Sequence, residues 1–200
     1  MPPKVKITKE DIVQAALSLQ REYGAGAVNA RSLAAALHCS TQPVFSNFET
    51  MDALQKAVTR VAYERYFAFL KRETESEKYP KYKAYGMAYI RFAREERELF
   101  RLLFMCDRRG EDLTPAADFE ESVQMIAKAN GVTVERARLM HLEMWACVHG
   151  IATMAVTSFL DLEWELISRM LSDVYQGIRE RHLKEEKDER DRDQGADEAL

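Results

Sequence analysis

The sequence predicts an all-α protein: a three-helix N-terminal domain containing a helix-turn-helix, joined by a long helix to a C-terminal helical bundle that dimerises. Three observations predict it. Apolar residues recur at helical spacing almost throughout the chain to Leu183, with no strand-like alternation and no internal repeat. The stretch from Asn29 to Phe48 carries two short apolar stripes, Leu33, Ala36 and Leu37, then Val44, Phe45 and Phe48, separated by His38, Cys39 and Ser40. A connection that tight forces a steep helix crossing. The last two long segments are apolar around most of their circumference and so require cover on most sides. The expected division is 1–50 for the helix-turn-helix domain, 51–183 for the dimerising bundle, and 184–200 for a charged, disordered tail.

Composition narrows the class. With 200 residues, 46% of them hydrophobic and 10% aromatic, the chain can build a sizeable core in one or two domains. Its formal charge of -4 argues against a basic coat, so any nucleic-acid contact must be local and read by a defined element. Three cysteines in helical segments, Cys39, Cys106 and Cys147, do not resemble a disulfide framework and suggest a reducing cytoplasm. No signal-like N-terminus and no uninterrupted apolar run of membrane-spanning length is present, so a soluble protein is expected.

Each element has its own justification. A basic arm with Lys4 and Lys6 precedes a first helix capped by Thr8 with Asp11, whose core stripe is Ile12, Ala16, Leu19 and Tyr23 and which Gly24 ends. Asn29 caps the second helix and Ser40 the third. Thr50 caps a fourth, from Met51 to about Arg72, with Leu54, Val58, Val61, Tyr66, Phe69 and Leu70 inward. Pro80 marks a break. The charged run from Arg94 to Glu98 either kinks one helix or separates two. Asp107 to Thr114 is a loop, Thr114 and Pro115 open the next helix with Phe119, Val123 and Ile126 inward, and Asn130-Gly131 closes it. Thr133 caps the first of the two apolar helices, and Asp161 the second. On the first, Val134, Ala137, His141, Met144, Val148, Ile151 and Ala155 line one face, and Trp145, Ala152, Val156 and Phe159 another. On the second, Leu162, Leu166, Met170 and Val174 form a stripe widened by Ile167, Leu171 and Ile178. A twofold partner making a four-helix interface supplies the missing cover; the alternative is that both are central helices of a monomer.

The third helix turns Thr41, Gln42, Pro43, Ser46 and Asn47 outward, with no ionised group among them. Hydroxyl and amide groups can bond base edges or phosphates, and Gln can pair bidentately with adenine. A small solvated helix is the bland alternative. Ser40, Thr41, Gln42, Pro43, Ser46 and Asn47 are thus the candidate base-reading residues, and Lys4, Lys6, Lys9 and Arg31 the candidate phosphate contacts.

The run from Thr8 to Leu54 resembles the DNA-binding domain of the tetracycline-repressor (TetR) family of bacterial regulators. The resemblance rests on Ile12, Ala15-Ala16, Tyr23-Gly24, Val28 to Ala34, Ser40, Val44 to Phe48, Asp52 and Leu54. Phe45 stands where a tyrosine is usual, Asn47 where a histidine is common, and Met51 where a lysine commonly meets phosphate. Trp145 to Gly150 also looks like the W…HG signature of one C-terminal subgroup. The resemblance implies a non-enzymatic homodimeric regulator. Its partners are a palindromic double-stranded operator and an apolar or aromatic small-molecule effector, and dimerisation runs through the last two long helices. Candidate effector contacts are Tyr89, Phe100, Phe104, Met105, Met144, Trp145 and His149, although a plain core role is the more ordinary reading of each. Neither cofactor nor metal is expected. The rivals are a helical protein-binding adaptor and a helical-bundle metal oxidase, but no histidine here has a Glu three residues before it.

Overall fold

The computed structural model describes residues 7–107 and 117–197; the basic arm with Lys4 and Lys6, and the loop and cap placed at 108–116, lie outside them. All regular structure among the described residues is helical: α1 (Lys9–Tyr23), a short 3-10 turn (Ala25–Ala27), α2 (Ala30–Ala36), α3 (Gln42–Asn47), α4 (Met51–Thr74), α5 (Lys81–Glu95), α6 (Arg97–Phe104), α7 (Ala117–Asn130), α8 (Val134–Val156) and α9 (Trp164–Asp197). This is the expected all-α plan of an N-terminal helix-turn-helix, a long connecting helix and a C-terminal bundle.

Local chemistry sets the helix starts. Thr8 and Asp11 form a reciprocal capping box, Asp11 N–H donating to Thr8 Oγ1 at 3.1 Å and Thr8 N–H to Asp11 Oδ2 at 2.8 Å. Asn29 Oδ1 accepts from the backbone N–H of Arg31 and of Ser32, both at 3.1 Å. Thr50 and Thr133 cap α4 and α8 in the same way. The third cap differs from expectation: Thr41, not Ser40, occupies the N-cap of α3, in helical conformation and without a side-chain bond. Pro43 sits in the first turn, where its missing N–H leaves no bond unmade. Glu96 separates α5 from α6, so the charged run divides two helices. Helix α9 starts at Trp164, beyond Asp161.

The described residues pack as two units. The first comprises residues 7–72 and 92–107, the second 73–91 and 117–197. The sequence boundary at 50 therefore differs from the packing boundary, because most of α4 and all of α6 belong with the N-terminal helices.

In the first unit Ile12, Ala16, Leu33, Val44, Leu54, Val58, Phe92, Leu99 and Phe100 are fully enclosed. The α1 stripe is rotated from its expected phase: Val13, Leu17 and Gln20 are buried, whereas Tyr23 is 64% exposed. Ala34 replaces Ala36 in the core of α2, and Ala62 replaces Val61 in that of α4. Gly24 ends α1 at φ +80°, and a Cβ there would lie 2.7 Å from Glu98 Oε2. The conformation demands glycine, whereas the Glu98 carboxylate, at the end of a flexible side chain, can move aside.

In the second unit α5, α7 and α9 pack against α8. Of the inward set expected for α8, Ala137, His141, Met144, Val148, Ile151 and Ala155 are all buried. Helix α8 is long and apolar enough to cross a membrane, with mean hydropathy 1.2 over its best window, but that continuous inward stripe is the pattern of a core helix. Gly86 allows α5 a close approach to its neighbours, since a Cβ there would meet Val148 Cγ2 at 3.2 Å and Leu171 Cδ1 at 3.4 Å.

The segment from Lys184, expected to be a disordered tail, continues α9 as helix to Asp197. Three causes are visible. Its residues as far as Gln194 include neither glycine nor proline and are mostly good helix formers. Arg136 of α8 holds Glu185 at 3.1 Å and Glu189 at 2.6 Å. Glu143 receives Arg181 and His182, and His182 and Glu186 are themselves buried. Charge density here is tied down by partners on a neighbouring helix rather than left to solvent.

Candidate functional site

Helix α3 is short and is positioned by two anchors, Val44 at 0% and Phe48 at 4% exposure, one turn apart. The chain reaches it from α2 through His38, which adopts φ 51°, with Cys39 N–H closing back on the Ala34 carbonyl at 2.9 Å. These contacts leave the opposite face of α3 outward. Ser40, Gln42 and Ser46 are exposed there, and Thr41, Pro43 and Asn47 half-buried. Two of these polar groups are engaged by their own helix: Ser46 Oγ donates to the Gln42 carbonyl at 2.9 Å, and Asn47 Nδ2 to the Pro43 carbonyl at 2.8 Å. Gln42 has no such tie among the described contacts and is the outward amide best placed to read a partner.

Phe45 departs from its expected place. Assigned by periodicity to the inward stripe, it is 55% exposed. It follows Val44 by one residue, a rotation of about 100° on a helix, and with Val44 and Phe48 pointing inward that rotation carries it out. The missed signal was this phase, since a four-residue repeat accommodates two of the three apolar residues.

Arg31 lies exposed in the first turn of α2. Lys9 lies exposed at the start of α1, its Nζ 4.8 Å from the centroid of the Phe48 ring. Both belong to the same unit as α3 and carry the charge that α3 itself lacks.

Also in this unit, Glu96 accepts from Arg21 at 2.7 and 2.8 Å and from Arg65 at 3.0 and 3.2 Å, bringing α1, α4 and the start of α6 to one carboxylate. Burial pushes that carboxyl up, but the hydrogen bonds and charges of the two guanidiniums together outweigh it and hold the group below its ordinary range. Gln20, buried on α1, donates to the Glu98 carbonyl at 3.3 Å nearby. Pairs separated by 75 and 31 residues leave no mark on local sequence pattern.

The seven candidate effector contacts fall into two groups. Tyr89, Met144, Trp145 and His149 belong to the second unit; Phe100, Phe104 and Met105 belong to the first. In the second, Trp145 stacks on His149 with ring centroids 5.0 Å apart and planes 13° apart, and His149 Nδ1 lies 2.9 Å from the Tyr89 hydroxyl. Trp145 is 41% exposed, Tyr89 and Met144 are buried, and His149 is half-buried. In the first, Phe100 and Phe104 pack 5.1 Å apart, and Phe104 meets Tyr66 edge-on at 5.0 Å, whereas Met105 is exposed.

A second pair of the same kind went unread in the sequence. Tyr82 and His141 repeat the α5 to α8 hydrogen bond at 2.9 Å, with Phe119 against the imidazole at 4.5 Å. The spacings match, seven residues on α5 and eight on α8, each about two helical turns. Burial lowers the His141 pKa to about 4, lowers that of His149, and raises that of Tyr82. No group of His, Cys, Asp and Glu able to hold a metal occurs among the described residues.

Residues 82–174 match the family described as the tetracyclin repressor-like C-terminal domain, a range that contains Tyr89, Trp145, His149 and Gly150. Solved structures share the fold. One, a protein of unknown function from Rhodococcus sp. RHA1, superposes with a TM-score of 0.70 at 23% identity, covering 88% of this chain and 98% of that one. A TetR-like transcriptional regulator from the same organism gives 0.61 at 12% identity, covering 88% and 96%. A TetR variant from Acinetobacter baumannii AYE in complex with minocycline gives 0.58 at 18% identity, covering 88% and 99%. No curated protein matches the chain.

Proposed function

We propose that this chain is a ligand-responsive repressor of the TetR type, a reading supported by the tetracyclin repressor-like C-terminal domain matched at residues 82–174 and by the fold shared with TetR-like regulators. It binds a palindromic operator as a homodimer and is released by a small-molecule effector. The observation that carries this reading is the uncharged outward face of α3, held at the end of a helix-turn-helix with Val44 and Phe48 buried beneath it. Ser40, Thr41, Gln42, Pro43, Ser46 and Asn47 face the major groove, with Gln42 supplying a base-specific contact. Lys9 and Arg31, with Lys4 and Lys6 of the N-terminal arm, contact phosphates.

Two features support dimerisation through α8 and α9. Leu139, Leu142 and Trp145 are 41 to 51% exposed along α8. Leu162, just before α9, and the α9 residues Leu166, Met170 and Val174 stay half-exposed in the single chain, whereas Ile167 and Leu171 beside them are buried. A second copy covering these stripes would bury both and relate two α3 helices by a twofold axis. Effector recognition is assigned to Trp145, His149, Tyr89 and Met144, an aromatic wall beside a polar pair, which suits a planar, partly apolar compound. Phe100, Phe104 and Met105 are a separate candidate group within the first unit. The effector acts by binding the shape that cannot engage the operator more tightly than the one that can. The reading includes no catalytic role and a cytoplasmic location.

Duplex binding followed by fluorescence anisotropy across salt concentrations tests the proposal. Affinity should fall steeply between about 50 and 200 mM salt. A protein that retains no duplex at the lower salt would contradict it, and would favour a helical adaptor using the α8 and α9 stripes.

A further inference from the structure

The outward face of α3 is unusual in what it offers a duplex. No ionised side chain occurs from Cys39 to Phe48, and the side-chain donors of Ser46 and Asn47 are engaged by the helix's own carbonyls. Beside Gln42 and the hydroxyls of Ser40 and Thr41, two apolar groups lie on this face, the 55%-exposed phenyl ring of Phe45 and the half-buried pyrrolidine of Pro43. A phenyl ring has no donor for a phosphate oxygen, so Phe45 does not act as a backbone clamp. In the major groove, the apolar feature of a base edge is the methyl on C5 of a pyrimidine. Removing ring and methyl together from water is favourable in proportion to the area covered.

We propose that Phe45, with Pro43 beside it, reads the 5-methyl group of a pyrimidine in the major groove. Thymine is favoured over uracil, and 5-methylcytosine over cytosine, at the facing position. The inference rests on the reading that α3 enters duplex DNA and adds to it the group that is recognised. It also makes cytosine methylation at that position a direct modulator of binding, because the added methyl stands where that of thymine does.

The test begins by enriching a duplex from a randomised library with the full-length protein. Each thymine of the enriched half-site is then replaced singly by deoxyuridine, and affinity is measured for the parent protein, Phe45→Ala and Phe45→Leu. In duplexes carrying cytosine at a sensitive position, 5-methylcytosine is compared with cytosine. At one or two positions per half-site, loss of the methyl should weaken the parent roughly fourfold, the value of one buried methyl-sized group. Addition of the methyl to cytosine should strengthen binding by a similar factor. Phe45→Ala should bind more weakly and be indifferent to the methyl, Phe45→Leu should keep part of the discrimination, and all three proteins should melt alike because residue 45 is exposed. A parent protein indifferent to every methyl, or a Phe45→Ala variant that keeps the parent's sensitivity, would overturn the inference while leaving DNA binding intact. Failure of the parent to enrich any duplex would overturn the DNA-binding reading beneath it.

Discussion

Helices α3 and α8 are fixed in opposite ways. Val44 and Phe48 are the fully inward residues at α3; Gln42, Phe45 and Ser46 are exposed, and the remainder is half-buried. Helix α8 has nine buried residues and is further clipped to α5 by two tyrosine-histidine hydrogen bonds. A helix held by few contacts can change its outward residues with little effect on folding, and is free to specialise in recognition. A helix held by many cannot, so its function must reside in the few side chains that remain partly exposed, such as Trp145 and His149.

The contrast can be broken from either side, and the largest effects belong to α8. Met140→Ala removes a fully enclosed side chain and should lower unfolding stability by about 2–5 kcal/mol in denaturant titration. A loss below about 1 kcal/mol would mean that α8 is less enclosed than described.

The next effect is a pH dependence. His141 has its pKa lowered to about 4 in the folded state by burial, against about 6.5 when unfolded, so the unfolded chain binds the proton more readily. Its contribution is therefore fully present above pH 6.5 and is lost as pH falls toward 4, on the order of 3 kcal/mol in total. His141→Gln should flatten that part of the stability profile. An unchanged slope between pH 6.5 and 4 would show that other groups produce it.

Intermediate effects sit in the support of α3. Gly24→Ala places a side chain at φ +80° and against Glu98, and should destabilise by more than about 1 kcal/mol by thermal melting. Glu96→Gln weakens the joint of Arg21 and Arg65, both substantially exposed, and should cost about 1 kcal/mol or less. The smallest effect on folding is at α3 itself. Gln42→Ala should leave stability within about 0.5 kcal/mol while shifting duplex preference by about 1–3 kcal/mol at one base pair. Arg31→Ala should weaken all duplexes alike and reduce the salt slope by about 1.

What could be read in the sequence follows from the range of the forces involved. The caps at Thr8, Asn29, Thr50 and Thr133 join residues no more than three apart, so their chemistry is local and was legible. The inward face of α8 was legible because six residues in phase leave no second choice. Helix α3 is too short for its period to discriminate, so periodicity alone places Phe45 on the wrong side. The joint at Glu96 and the ordering of α9 beyond Lys184 depend on partners 31 to 75 residues away, such as Arg21, Arg65 and Arg136. Charge alone made the end of α9 look solvated, because the sequence does not show which charges meet an opposite one across the fold.

Parallel selection from randomised duplex DNA, with the parent and with Gln42→Ala, tests the central claim most directly. Both proteins should enrich two half-sites related by a twofold axis and spaced about 34 Å or a multiple apart, with the favoured base differing between them at one position in each half. A parent pool without a symmetric motif, or a Gln42→Ala pool identical to the parent's, would contradict the assignment of α3 as the reading helix.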